Sequence, residues 1–148
     1  MSKKSGKIAE LIASCGGRGW DAHYVGYFEC FNRELFYEAH DVLEELWLAD
    51  RTGPNGNFYK ALIQFAGGFV HLQKNSPRHP RLRPAAALFR LARGYLEPYE
   101  PFHEGLDVAL MRNLASEWID RLEAGSFCEN PLAGTPPPRL VVSGGVPR

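Results

Sequence analysis

From residue 20 to residue 125 the apolar positions of the chain recur every three or four residues. Trp20, Tyr24, Tyr27, Phe28 and Phe31 line one face of a first helix. After Asn32-Arg33-Glu34, read as a tight turn with Asn32 as a cap, Leu35, Ala39, Val42, Leu43 and Leu46 make the face of a second helix that runs to Ala49. Arg51-Thr52-Gly53-Pro54-Asn55-Gly56 stops it. Asn57 is the expected cap of a third helix from Phe58 to Lys74, apolar around most of its circumference and therefore central. Pro84 suits the first turn of a fourth, Ala85 to Glu97, closed by Pro98. Asp107 caps a fifth, Val108 to Glu123, with Gly125 just beyond it. No segment alternates with period two, so the pattern predicts an all-α, compact bundle of about five helices around a helix hairpin.

The ends differ in kind. Residues 1–19 read as a flexible N-terminal arm. Ile12-Ala13-Ser14-Cys15 has the look of a lipoprotein cleavage site behind Lys3, Lys4 and Lys7. The apolar stretch between them spans only Ile8 to Ala13 and is interrupted by Glu10, too short for a secretory leader. Residues 126–148 form a Pro/Gly-rich C-terminal tail without a periodic apolar face, expected to be disordered or extended.

Composition narrows the function classes. The 148 residues suit one modest core, and 45% apolar residues with 12% aromatics suit a folded one. A formal net charge of zero argues against generic binding to nucleic acid or to anionic membranes. No apolar run approaches the roughly 18 residues that span a bilayer. Three cysteines, Cys15, Cys30 and Cys128, form neither a disulfide framework nor a zinc ribbon, and a reduced cytoplasmic protein is expected. Assembly into a homo-oligomer stays open. Charge is nonetheless segregated: residues 29–50 carry acids against the single Arg33, whereas residues 74–93 hold Lys74, Arg78, Arg81, Arg83, Arg90 and Arg93 and no acid. The simplest expectation is that the fourth-helix arginines lie across the acidic second helix or solvate the surface.

Chemistry concentrates in the second helix. His40 and Glu44 are one turn apart and Trp47 follows, on the seam between the apolar face and water. On the third helix, Lys60, Gln64, Gly67 and His71 form a narrow polar stripe on an otherwise apolar surface. A polar stripe against an apolar wall would leave unpaired groups, so it is expected to meet the His40/Glu44 seam, with Gly67 and Gly68 letting the two backbones approach. Two functions fit. In the first, His40, Glu44 and His71 ligate a divalent metal (zinc, iron or manganese), hydrolytic chemistry being one use, with Glu38, Trp47, Lys60, Gln64 and Gly67 lining the site. In the second, the module is non-enzymatic, a binding or interaction protein whose His40, Glu44, Gln64 and His71 make a structural hydrogen-bond network. The sequence assigns no enzyme class. His23, His79 and His103 fall in segments that give them no role, and no Ser or Cys has a nucleophile's surroundings.

The run from Phe31 to Trp47, with Glu38-Ala39-His40 at its centre, followed by Leu62-Ile63-Gln64 and His71-Leu72, strongly resembles the small bacterial and archaeal family called domain of unknown function 309. That family's signature is HxxxExx followed by Trp or Tyr, matched by His40, Glu44 and Trp47. The resemblance covers residues 20–96 and, more loosely, the last helix. It implies an all-helical fold and a motif regarded as a metal-binding candidate, and no established activity.

Overall fold

The structure is a computed structural model and describes residues 19–143. The arm expected over residues 1–18 and the last residues of the tail, 144–148, lie outside the described residues.

Among the described residues five α-helices follow one another: α1 (Ala22–Asn32), α2 (Phe36–Ala49), α3 (Gly56–Lys74), α4 (Leu82–Leu96) and α5 (Val108–Ala124). Their main packing runs in chain order, α1 on α2, α2 on α3, α3 on α4 and α4 on α5. Because α3 is apolar on several sides, it sits in the middle and buries Phe58, Leu62, Phe65, Phe69 and Leu72 completely. Phe69 holds that centre together. Its ring lies 4.9–5.4 Å from those of Phe31 on α1, Phe36 on α2, Phe89 on α4 and Trp118 on α5.

Several helix ends differ from expectation. Asp21, not Trp20, starts α1, its carboxylate accepting from the His23 N–H. Asn32 does not cap α2, whose preceding residue, Leu35, makes no side-chain cap. Asn32 instead donates to Leu140 O and accepts from Leu140 N, both at 2.7 Å, a pairing 108 residues away in sequence. Asn57 is already inside α3, and Asn55 occupies the cap position. Asp107 does cap α5 by accepting from the Leu110 N–H, with Gly125 at its end.

Between α4 and α5, Phe102–His103 (β1) and Leu106–Asp107 (β2) pair antiparallel across the two-residue turn Glu104-Gly105. Both turn residues have positive φ, 49° and 72°, as a tight hairpin requires. Two residues per strand are too few to alternate visibly. After a single 3-10 turn, Pro131–Ala133, the tail lies along the helices as far as Ser143: Leu140 is buried, Val142 bridges to Leu106, and Ser143 O accepts from Trp20 Nε1. The arginines of α4 turn away from the acidic helix α2. Arg90 pairs with Glu123 at 2.8 Å, Arg93 donates to Ser116, and Arg83 lies over Phe127. The loops place α5 and its following turn, not α2, beside that face. Among the described residues no helix is long and apolar enough to cross a membrane.

Candidate functional site

The polar stripe of α3 opens onto a pocket between α2, α3 and α4. Tyr37 and His40 come from α2, Ile63, Gln64, Gly67, Val70 and His71 from α3, and Leu88 from α4; together they enclose about 260 Å³. Helical spacing explains the α3 wall, because residues 63, 67, 70 and 71, with 64, fall on adjoining rows of one helix. The Tyr37 ring stacks on His40 at 5.8 Å and 26°, as residues three apart on a helix can. Lys74, one turn beyond Val70, places its ammonium 5.4 Å from the Tyr37 ring centre.

Three of the pocket's side chains carry a buried atom with no hydrogen-bond partner: His40 Nδ1, Gln64 Oε1 and His71 Nδ1. Arg81 Nε is the fourth such atom among the described residues. Arg81 does not line the pocket, although its charge is felt at His71. Leaving such a group unpaired costs about 1–3 kcal/mol. Three of these costs gather in the wall of one cavity.

Burial lowers the His71 pKa from its ordinary value near 6.5, and the charges of Arg81 and Lys74 push it further down. The imidazole is therefore neutral at neutral pH. The unfolded chain takes up this proton more readily than the folded one. The His71 contribution to stability is thus complete above pH 6.5 and is lost as pH falls through the lower folded value. Denaturant midpoints measured downward from pH 7.5 should decline less steeply in His71→Phe than in the wild type. Equal slopes would remove His71 from the acid response.

The other residues expected at the site lie elsewhere. Glu44 is half-buried and does not line the pocket. Among the described residues no hydrogen bond or ion pair joins it to His40, so the expected His40–Glu44 network is absent. Trp47 packs at the edge of the core under the Arg51 guanidinium, 5.7 Å from its ring centre. Lys60 sits over the Tyr95 ring of α4 at 4.8 Å. Glu38 stands in the first turn of α2, off the pocket wall. Gly67 and Gly68 do allow a close approach, but to α4: a methyl group on either would meet Leu88 or Phe89. The stripe thus faces the gap between α2 and α4, not α2 alone.

A divalent metal finds no adequate cradle here. Among the described residues no group of three or more His, Cys, Asp or Glu side chains is placed to hold one. His40 and His71 share the pocket, but the carboxylate expected to complete the set, Glu44, stands outside it.

Polar groups also gather at two places outside this pocket. At the opposite end of α3, His103 Nε2 lies 2.6 Å from Asn55 Oδ1, and Asn55 Nδ2 reaches Tyr59 and Glu104. A wider depression of about 740 Å³ beside the end of α5 includes Asn130, whose amide already donates to Leu72 O. Neither contains an unpaired buried polar atom, so size alone does not identify the site. Sequence reasoning missed Tyr37, Ile63, Val70 and Leu88 as walls of the pocket. The i, i+3 spacing to His40 could have found Tyr37; nothing local relates Leu88 to the stripe.

Residues 24–81 match the model of a family described as a domain of unknown function (DUF309). The match extends from α1 through α3 to Arg81, and so contains His40, Gln64, His71 and Lys74. No curated protein and no solved structure matches the chain.

Proposed function

Starting from a chain whose residues 24–81 match the DUF309 family model, whose description names no activity, we propose that it is a non-enzymatic, ligand-binding helical module. Its site is the pocket between α2, α3 and α4, and His40, Gln64 and His71 are its polar contacts. The observation that carries this reading is the gathering of unpaired buried polar atoms around one cavity. A small molecule supplies partners once these side chains turn toward the cavity, while Ile63, Val70 and Leu88 bury its apolar part. At about 260 Å³ the pocket takes a compact ligand, below the usual range of drug-sized sites.

Substitution of Gln64 separates a binding role from a structural one. Gln64→Met keeps the side chain's length and removes the orphaned oxygen, so the free protein should gain about 1–3 kcal/mol. Binding of small polar fragments, followed through the backbone amide signals of Gly67 and His71, should be lost at the same time. A destabilised Gln64→Met protein would mean that Gln64 already has a structural partner, and the reading would fail. Zinc belongs in the same titration: saturable shifts with zinc and none with organic fragments would favour a metal site.

A further inference from the structure

We propose that the pocket's occupant is a compact, uncharged ring compound bearing one neutral hydrogen-bonding group, an inference that rests on the ligand-binding reading above. The size follows from the cavity. A space of about 150 Å³ is enough for benzene, so about 260 Å³ holds such a ring with a short substituent. The apolar body follows from the walls, because Ile63, Val70, Leu88 and the Tyr37 ring line the cavity and Gly67 adds no side chain.

The neutrality follows from the same lining. Among the described residues no Asp, Glu, Lys or Arg lines the cavity. Its polar part is two imidazoles, His40 and His71, and the carboxamide of Gln64. Burial keeps the His71 imidazole neutral at neutral pH. An ionised ligand entering here would shed part of its hydration shell with no opposite charge in the wall to replace it. Lys74 lies over the Tyr37 ring, but it is exposed to solvent and outside the lining, where water screens its charge.

The hydrogen-bonding group follows from the ends that the three polar side chains leave open. In each, one polar atom is buried without a partner, Nδ1 of His40 and His71 and Oε1 of Gln64. The other atom, Nε2, is neither buried in this way nor hydrogen-bonded among the described residues. A half-turn of the Gln64 amide exchanges its two ends, and each imidazole Nε2 donates or accepts according to its tautomer. A neutral group that both donates and accepts, as a carboxamide does, finds a match in either arrangement. A purely apolar ligand would leave these ends unmatched.

Benzamide, benzoate and benzylamine share one ring and differ in the charge of the head group. At neutral pH each is titrated into the intact chain and followed through the backbone amides of Gly67, Val70 and His71. Benzamide should saturate these shifts about tenfold more tightly than benzoate or benzylamine. Gln64→Glu, which places a carboxylate in the lining, should weaken benzamide and make benzylamine the tightest of the three. An unaltered order in folded Gln64→Glu would overturn the inference; should that variant not fold, the wild-type order decides by itself. Benzoate or benzylamine binding to the wild type as tightly as benzamide would overturn the uncharged ligand and leave the pocket reading standing. Failure of every probe to move these amides in folded protein would overturn both.

Discussion

Replacing Phe69 by alanine is expected to cost about 3–5 kcal/mol, enough to unfold a domain of ordinary stability in much of the population. The ring is fully buried and touches aromatic neighbours from every other helix: Phe31, Phe36, Phe89 and Trp118, besides Phe65 on its own helix. Removing it forfeits the transfer energy of a phenyl group. It also leaves a cavity whose walls cannot easily collapse, since four of them are rigid rings held by four different helices. Edge-to-face contacts contribute about 0.5–1.5 kcal/mol beyond the buried area, and several are lost together. Leu48→Ala is the matched control, because Leu48 lies on α2 with 55% of its surface exposed; it should change stability by less than about 0.5 kcal/mol. Urea midpoints for the two variants decide the matter. A Phe69 variant within about 1 kcal/mol of the wild type would show that the five helices do not share one core.

Valine at Gly68 is expected to cost about 3 kcal/mol, although glycine is a poor helix former. A Cβ at this position would lie 2.5 Å from Phe89 Cε1 and 2.6 Å from Cζ, inside any real contact distance. Phe89 is itself fully buried between Phe65 and Phe69 and has nowhere to turn. The helices α3 and α4 must then separate, or a ring must leave its rotamer, at the upper end of the usual overpacking penalty of about 1–3 kcal/mol. Gly94 tests the opposite sign. Nothing lies within 4 Å of a Cβ built there, so Gly94→Ala should stabilise α4 by up to about 1 kcal/mol. Thermal unfolding of both variants provides the comparison. A stabilised Gly68→Val would mean that α3 and α4 do not pack at the observed separation.

About half of the candidate site is legible in the amino-acid sequence. His40, Gln64, Gly67 and His71 stand out there because they interrupt apolar faces, and one pocket does contain all four. Glu44 stands out by the same spacing rule and lies outside the pocket. A one-turn separation brings two side chains near each other on a helix, but it does not decide which of them a neighbouring helix will cover. The HxxxE spacing is therefore informative about exposure and misleading about pairing. Arg81 illustrates the reverse. Its place in a basic segment suggests a solvated surface, whereas its Nε is buried and its charge is felt at His71.

What the chain determined by itself is whatever depends on residues within a turn or two. Five helices, the Asp107 cap, the apolar circumference of α3 and the polar stripe along it all follow from local periodicity and capping chemistry. Tertiary packing decided the rest. It took Asn32 from the expected cap of α2 to a clasp on Leu140, set Gly68 against Phe89 of α4, and closed the pocket with Leu88. The physical reason is common to all three. A helical pattern records which face is buried, while the partner that buries it is set by loop geometry and by the simultaneous fit of many side chains, which no single segment encodes.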